Sequence, residues 1–179
     1  HQNYTILFWA QYAENNVSPY YNTSNLISVG YKNFDPDGVP ANYKSNHENM
    51  AAFYGAEFIN LEDVETAPMR RAVPKRPFAQ LNIGTSDYAI SQKAGYVPTK
   101  SSVTVKQVYS TLDLEYGTVS NPIDAVFKMH TIDRNEVFPV AGNEYLAMNY
   151  LLVPAEKNLV DIEFAHTNGS KEKTYTVAA

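Results

Sequence analysis

At 179 residues the chain is long enough to bury a substantial core, as one large or two small domains. Its formal net charge of −5 argues against a nucleic-acid partner, because such a partner requires a basic surface. The lack of cysteine excludes disulfides, thiolate metal sites and a cysteine nucleophile. The 14 tyrosines favour sheet, because aromatic side chains suit a half-buried pleated surface.

Two segments are apolar on both faces, which predicts central strands that are covered on both sides. The first is residues 4–10 (YTILFWA), and the second is residues 145–153 (YLAMNYLLV), which stop at Pro154. No apolar run approaches the ~20 residues that a helix needs to cross a bilayer.

The pattern between these strands predicts one short helix and a boundary between two units. Residues 45–48 have the Ser-x-x-Glu order of a capping box, so residues 50–54 are predicted to form a helix that ends at Gly55. A polar connector with prolines follows, and Leu81 and Ile83 then alternate with polar residues as in a strand. We therefore predict an N-terminal β-sandwich unit at residues 1–72, without its first strands, and a C-terminal β-sandwich unit at residues 73–179.

Two local features are predicted within the second unit. The hydrophobic phase switches between Val105 and Val108, which indicates a β-bulge at residues 106–107. Asn168-Gly169 lies between two alternating segments and predicts a hairpin turn. The charged residues 171–173 that follow are expected to keep the outer edge from indiscriminate pairing. The fold class predicted from these patterns is all-β, with antiparallel β-sandwiches and one short helix.

No motif in the sequence predicts catalysis or metal binding. His47-Glu48 lacks the second histidine of a zinc-protease helix, and residues 35–38 are half of a calcium loop without its later glutamate. There is no phosphate-binding loop. We therefore expect no catalytic residue, no metal site, no cofactor and no enzyme activity.

Four aromatic residues near the N-terminus allow two interpretations. Aromatic rings bury a large area at modest entropic cost, so these rings would suit stacking on sugars or on a partner surface. The other interpretation is that they pack the sandwich or lie in its loops. The four residues are Trp9, Tyr12, Tyr20 and Tyr21.

Four segments taken together resemble the fimbrillin-like pilins and adhesins of Gram-negative anaerobes. They are residues 4–11, 48–55, 76–85 and 148–152. The resemblance implies two transthyretin-like β-sandwiches in tandem, export as a lipoprotein and display at the outer membrane. It also implies assembly by strand insertion after cleavage at an arginine, and the candidates near the connector are Arg70, Arg71 and Arg76.

These observations lead to an expected function. We expect a non-enzymatic fimbrial subunit or adhesin at the cell surface, acting through an edge strand or open groove beside residues 4–10 or 145–153. Its partners would be other subunits or surface ligands that add a strand, with no nucleic acid. The chain begins at His1 without an initiator methionine or signal peptide, so we expect a processed or excerpted chain whose membrane contact is a lipid anchor outside it. The alternative is a carbohydrate-binding surface module that uses the four aromatics.

Overall fold

The computed structural model describes residues 3–13, 15, 20–32, 48–62, 71–156 and 159–179. This part of the chain forms ten strands and one short α-helix, which confirms the all-β fold with antiparallel, sandwich-like sheets. Residues 35–38 and His47, which were considered above for metal binding, lie outside the described residues. The strands are β1 (Asn3–Gln11), β2 (Tyr21–Asn22), β3 (Val29–Tyr31), β4 (Ala52–Asn60), β5 (Phe78–Thr85), β6 (Lys100–Asp113), β7 (Thr118–Thr131), β8 (Glu144–Leu152), β9 (Ile162–Thr167) and β10 (Glu172–Val177); the helix is α1 (Tyr88–Lys93), and a 3₁₀ turn spans Glu48–Met50.

The long strand β6 organises the larger sheet. It pairs with β7 along one edge, and its other edge pairs first with β9, then with β8 at Tyr109–Leu152, and then with β3. β10 extends the sheet beyond β9, and β2 extends it beyond β3. β6 has 14 residues, so one strand is long enough to pair with three successive neighbours on the same edge.

The predicted β-bulge in β6 is confirmed. The register with β7 shifts between Val105 and Val108, and Gln107 has a φ of 53°. Asp124 stabilises the bulge, because its carboxylate accepts the Gln107 N–H at 3.2 Å and pairs with the Lys106 ammonium at 2.7 Å. The extra residue keeps the valines on both sides of it buried on the inner face.

The prediction of a central strand at residues 145–153 is confirmed by β8, which is buried throughout from Tyr145 to Leu152. β5 pairs along it, and the Ser101 hydroxyl of β6 donates to the Leu146 carbonyl oxygen at 2.8 Å. An aromatic cluster also packs against the β5–β8 pair: the Tyr21 ring stacks on Phe78 at 5.2 Å, and Phe78 meets Tyr150 edge-on at 6.2 Å. β8 therefore packs against β6 and against this cluster, and its last residue, Leu152, also pairs with Tyr109 of β6.

Tyr31 satisfies part of the β8 backbone that pairing with β5 does not reach. Its hydroxyl donates to the Tyr150 carbonyl oxygen at 2.9 Å and accepts the Leu152 N–H at 3.2 Å. Burial raises the pKa of Tyr31 above its ordinary value, so the hydroxyl keeps the proton that it donates.

The prediction that residues 4–10 form a central strand is wrong. β1 pairs only with β4 among the described residues, and the two form a separate two-stranded sheet. Leu7 and Trp9 pack against the core, whereas Tyr4 is 49% exposed and Ile6 is 42% exposed. The segment is apolar on both faces, but the fold supplies a covering layer for only one of them.

The predicted helix at residues 50–54 is also wrong. After the 3₁₀ turn the chain enters β4, whose backbone pairs with β1 from Ala52 to Asn60. Gly55, expected to end the helix, lies opposite Phe8, and a β-carbon there would lie 3.6 Å from that ring. The Glu48 carboxylate, expected to cap the helix, accepts the Tyr150 hydroxyl at 2.7 Å. Pairing with a distant strand therefore overrides the local helix signal.

The division between residues 72 and 73 stays a prediction, as does the transthyretin-like topology. Across this boundary, β2 and β3 belong to the sheet that contains β6. Tyr21 and Met50 also join the buried core that contains Phe127. Sheet and core thus connect the two predicted units.

The predicted hairpin at Asn168-Gly169 is confirmed by the antiparallel pair β9 and β10. Gly169 adopts a φ of 95°, a conformation that favours glycine. The Asn168 side-chain oxygen accepts the Ser170 N–H at 3.1 Å and the Lys171 N–H at 2.9 Å. The asparagine side chain thus closes the turn by bonding its own backbone.

We predict that Tyr31→Phe lowers the free energy of unfolding by about 1–3 kcal/mol, because it leaves a buried N–H and carbonyl of β8 without this partner. Urea titration followed by circular dichroism measures the change. The matched control is Tyr116→Phe, since Tyr116 is 73% exposed and should change stability by less than about 0.5 kcal/mol. Equal stability of the two variants would contradict the role given to Tyr31.

Candidate functional site

A cavity of about 480 Å³ lies where the edge strands β5 and β10 approach each other. We call it the β5–β10 groove. Its residues from β9 and β10 alternate along each strand, as expected for the inner face of a layer. The strand residues are Leu81, Ile83, Gly84 and Thr85 from β5, Leu146 from β8, Ile162, Phe164 and His166 from β9, and Lys173, Tyr175 and Val177 from β10.

The register of the hairpin explains why these side chains share one face. Directly opposed residues of an antiparallel pair point to the same side of the sheet. The pairs are His166 with Lys173, Phe164 with Tyr175, and Ile162 with Val177. The Tyr175 ring stacks on Phe164 at 6.2 Å and on His166 at 5.7 Å, so the wall of the groove is a continuous aromatic surface.

One end of the β5–β10 groove is closed by α1 and the turn after it. The Asp87 carboxylate accepts a hydrogen bond from the Thr85 hydroxyl where the chain leaves β5 for α1. Gly95, with a φ of 76°, then ends the helical segment. The chain returns so that the Tyr96 hydroxyl bonds to His166 Nδ1 at 2.8 Å and to the His166 carbonyl oxygen at 3.2 Å. The closed end is therefore polar, in contrast to the apolar remainder.

The electrostatics of the closed end follow from burial. Burial lowers the pKa of His166, and the neighbouring Lys173 ammonium lowers it further, while Asp87 acts in the opposite direction. Burial is also the main reason that the pKa of Tyr96 is raised. His166 is therefore a neutral imidazole at neutral pH, and the Lys173 ammonium lies 4.6 Å from the centre of the Tyr96 ring. Within the described ranges, no group of three or more histidine, aspartate or glutamate side chains could hold a metal ion.

The structure brings the four predicted aromatics together near the core, outside the β5–β10 groove. Tyr20 and Tyr21 are 8% and 2% exposed, and the Trp9 ring meets Tyr21 edge-on at 5.4 Å. Tyr12 is 41% exposed and lies 6.4 Å from the Tyr20 ring. A sugar can stack only on an accessible ring face, and of the four rings Tyr12 is the most accessible.

Cleavage at one of the three candidate arginines stays a prediction. Arg70 lies outside the described residues, and Arg71 is exposed. Arg76 is exposed with its guanidinium carbon 5.2 Å from the centre of the Phe53 ring. It follows Lys75, whose backbone bonds to Tyr54 of β4 in both directions, at 2.8 and 2.9 Å. The chain before Arg76 is therefore attached to the two-stranded sheet.

Sequence reasoning identified the alternation in β9 and β10 but not the groove that it lines. The sequence predicts only that the segments on both sides of Asn168-Gly169 alternate, and this prediction does not include His166 or Lys173. The available signal was the period of two, which continues through His166 and through Lys173. That both residues face a cavity depends on β5 and α1, which are distant in sequence.

The protein is therefore an all-β, sandwich-like protein with an apolar, aromatic groove that is lined in part by two edge strands. The chain belongs to a family of unknown function (DUF6562), which it matches over residues 1–178. No curated protein and no solved structure matches it. In the part of the chain that the structure describes, no helix is long and apolar enough to cross a membrane.

We predict that His166 makes stability depend on pH below neutrality. Its folded pKa lies below the ordinary value of about 6.5, so the unfolded chain takes up this proton first as the pH falls. The contribution of His166 to the free energy of unfolding is therefore complete above about pH 6.5. It declines as the pH falls towards the folded pKa, by at most about 1.4 kcal/mol per pH unit. Urea titrations at intervals between pH 7.5 and 5 measure the slope of the free energy of unfolding against pH.

The comparison variants are His166→Gln and His130→Gln, because burial also lowers the pKa of His130. The slope should become shallower in each variant, and shallowest when both histidines are replaced. An unchanged slope in His166→Gln would contradict the assignment.

Proposed function

We propose that this protein is a non-enzymatic fimbrial subunit or adhesin of the cell surface that binds an extended strand in the β5–β10 groove. The observation that carries the proposal is an apolar groove lined from two strands whose outer edges are unpaired within the described residues. β10 pairs only with β9 there, and β5 pairs only with β8.

An unpaired edge offers a row of N–H and carbonyl groups to an incoming strand. A strand added to such an edge gains main-chain hydrogen bonds, and pockets for alternate side chains determine its register. The β5–β10 groove supplies such pockets, because Lys173, Tyr175 and Val177 face it at alternate positions. The edge and the groove together therefore suit a strand.

The exposure of apolar side chains in the groove also supports this function. Tyr175 is 50% exposed and Val177 is 61% exposed, although both belong to the inner face of the sheet. Covering them with another strand is favourable by about 25 cal/mol for each Å² of apolar surface removed from water. The resemblance to pilins and adhesins agrees with this use of an open β-sandwich.

We predict that a nine-residue peptide of alternating valine and threonine binds the protein and slows backbone hydrogen exchange in β10 or β5. Calorimetry measures the affinity, and hydrogen exchange with mass spectrometry locates the protected strand. The control peptide has the same composition but groups its valines together, so it cannot place apolar side chains on one face. Equal binding of both peptides, or protection at neither strand, would contradict the proposal.

Protein variants show whether the groove is the site. Val177→Asp should weaken binding of the alternating peptide by about tenfold or more, because binding would then bury an unpaired carboxylate. Val137→Asp is the matched control, since Val137 is 83% exposed and does not line the groove. Both positions are exposed enough to accept the change without unfolding.

The cellular part of the proposal has its own test. Brief protease treatment of intact source cells should release peptides of this chain, while a cytoplasmic marker protein stays intact. Recovery of the chain only after lysis would contradict display at the surface.

A further inference from the structure

The closed end of the β5–β10 groove carries a positive charge on the β10 side. Lys173 is on the inner face, directly opposite His166 across the hairpin. No carboxylate lies within 4.0 Å of its ammonium in the described part of the chain, where the ion pair found is Lys106 with Asp124. The cation instead lies against the Tyr96 ring, 4.6 Å from its centre. It therefore remains able to pair with an arriving anion.

The other ionisable groups of the groove differ in their position or their charge. Asp87 lies at the start of α1, on the β5 side, where its carboxylate already accepts a hydrogen bond from Thr85. His166 is neutral near pH 7, because burial and Lys173 lower its pKa. A strand that pairs with β10 would therefore meet a cation at this end, and a strand that pairs with β5 would meet Asp87.

The spacing of residues along β10 determines which position of an incoming strand would lie opposite the Lys173 charge. A residue directly opposite another on a neighbouring strand has its β-carbon about 4.5–5.5 Å away, within reach of an ion pair. The next positions on the same face are opposite Tyr175 and Val177, two and four residues from the position opposite Lys173. Those positions favour apolar side chains.

We propose that the β5–β10 groove selects a strand that pairs with β10 and carries an aspartate or glutamate opposite Lys173, with apolar residues two and four positions away from it. This inference rests on the proposed function and adds the chemistry of the partner and the edge strand with which it pairs. Lys173 also has a protective role, because a lysine pointing inwards from an edge strand discourages pairing with strands that do not neutralise it.

The test uses three alternating valine–threonine peptides that differ at one terminal position on the valine face, which carries glutamate, glutamine or lysine. Each peptide is made in both sequence directions, because β10 accepts a parallel or an antiparallel neighbour, and all carry the same solubilising tail. Calorimetry measures their affinities for the wild type, for Lys173→Glu and for Lys171→Glu. The last variant makes the same change in net charge at an exposed turn residue outside the groove.

The glutamate peptide should bind the wild type about fivefold more tightly than the lysine peptide, in one of the two directions. The preference should reverse in Lys173→Glu and persist in Lys171→Glu. Binding of all three peptides without preference overturns this inference and leaves the proposed function intact. A preference for the lysine peptide also overturns it and indicates pairing with β5 beside Asp87. If no peptide binds, the proposed function fails, and this inference fails with it.

Discussion

The burial of β8 on both faces is the constraint on which the rest of the structure depends. A strand that is apolar throughout can be buried only if other layers cover both faces and its backbone groups find partners away from water. β5 supplies most of those partners, and the Tyr31 hydroxyl supplies two more. The aromatic cluster around Tyr21 and Phe78 covers part of the β5–β8 pair. Tyr21 comes from a segment that precedes β5, and Phe78 is the first residue of β5. Residues far apart in the sequence thus complete the surroundings of one strand.

The bulge in β6 makes the larger sheet compatible with this arrangement. A strand of 14 residues without a bulge would place Val105 and Val108 on opposite faces, because side chains alternate. The extra residue restores both valines to the core, and Asp124 accepts the N–H that the bulge releases. β6 can therefore keep Val103, Val105, Val108 and Leu112 buried while it pairs with β9, β8 and β3 along one edge.

The β5–β10 groove is a consequence of how these layers end. β10 is short and lies outside β9, and β5 lies outside β8, so the two layers meet at strands with unpaired edges in the described part of the chain. α1 fills only one end of the space between them, where Tyr96 bonds to His166. Apolar side chains of β10 therefore stay partly exposed beside a polar end, which is the combination that the proposed partner would match. The same edge must also resist unwanted pairing, and the role that we propose for the inward-pointing Lys173 is to disfavour strands that do not neutralise its charge.

The sequence by itself determined those features whose cause is local or periodic. The two-face apolar pattern identified β8, the change of hydrophobic phase located the bulge, and Asn168-Gly169 located the hairpin, because each signal lies within a few residues of the feature that it specifies. The expectations for residues 4–10 and 50–54 failed because the deciding contact is non-local: β1 received one covering layer instead of two, and pairing with β1 drew residues 52–60 into a strand. The groove belongs to this second group. Alternation predicted the two strands of the hairpin, but only the tertiary structure left their inner face partly uncovered and placed His166 and Lys173 at its polar end. Those positions depend on β5 and α1, which lie about 70–95 residues earlier in the chain.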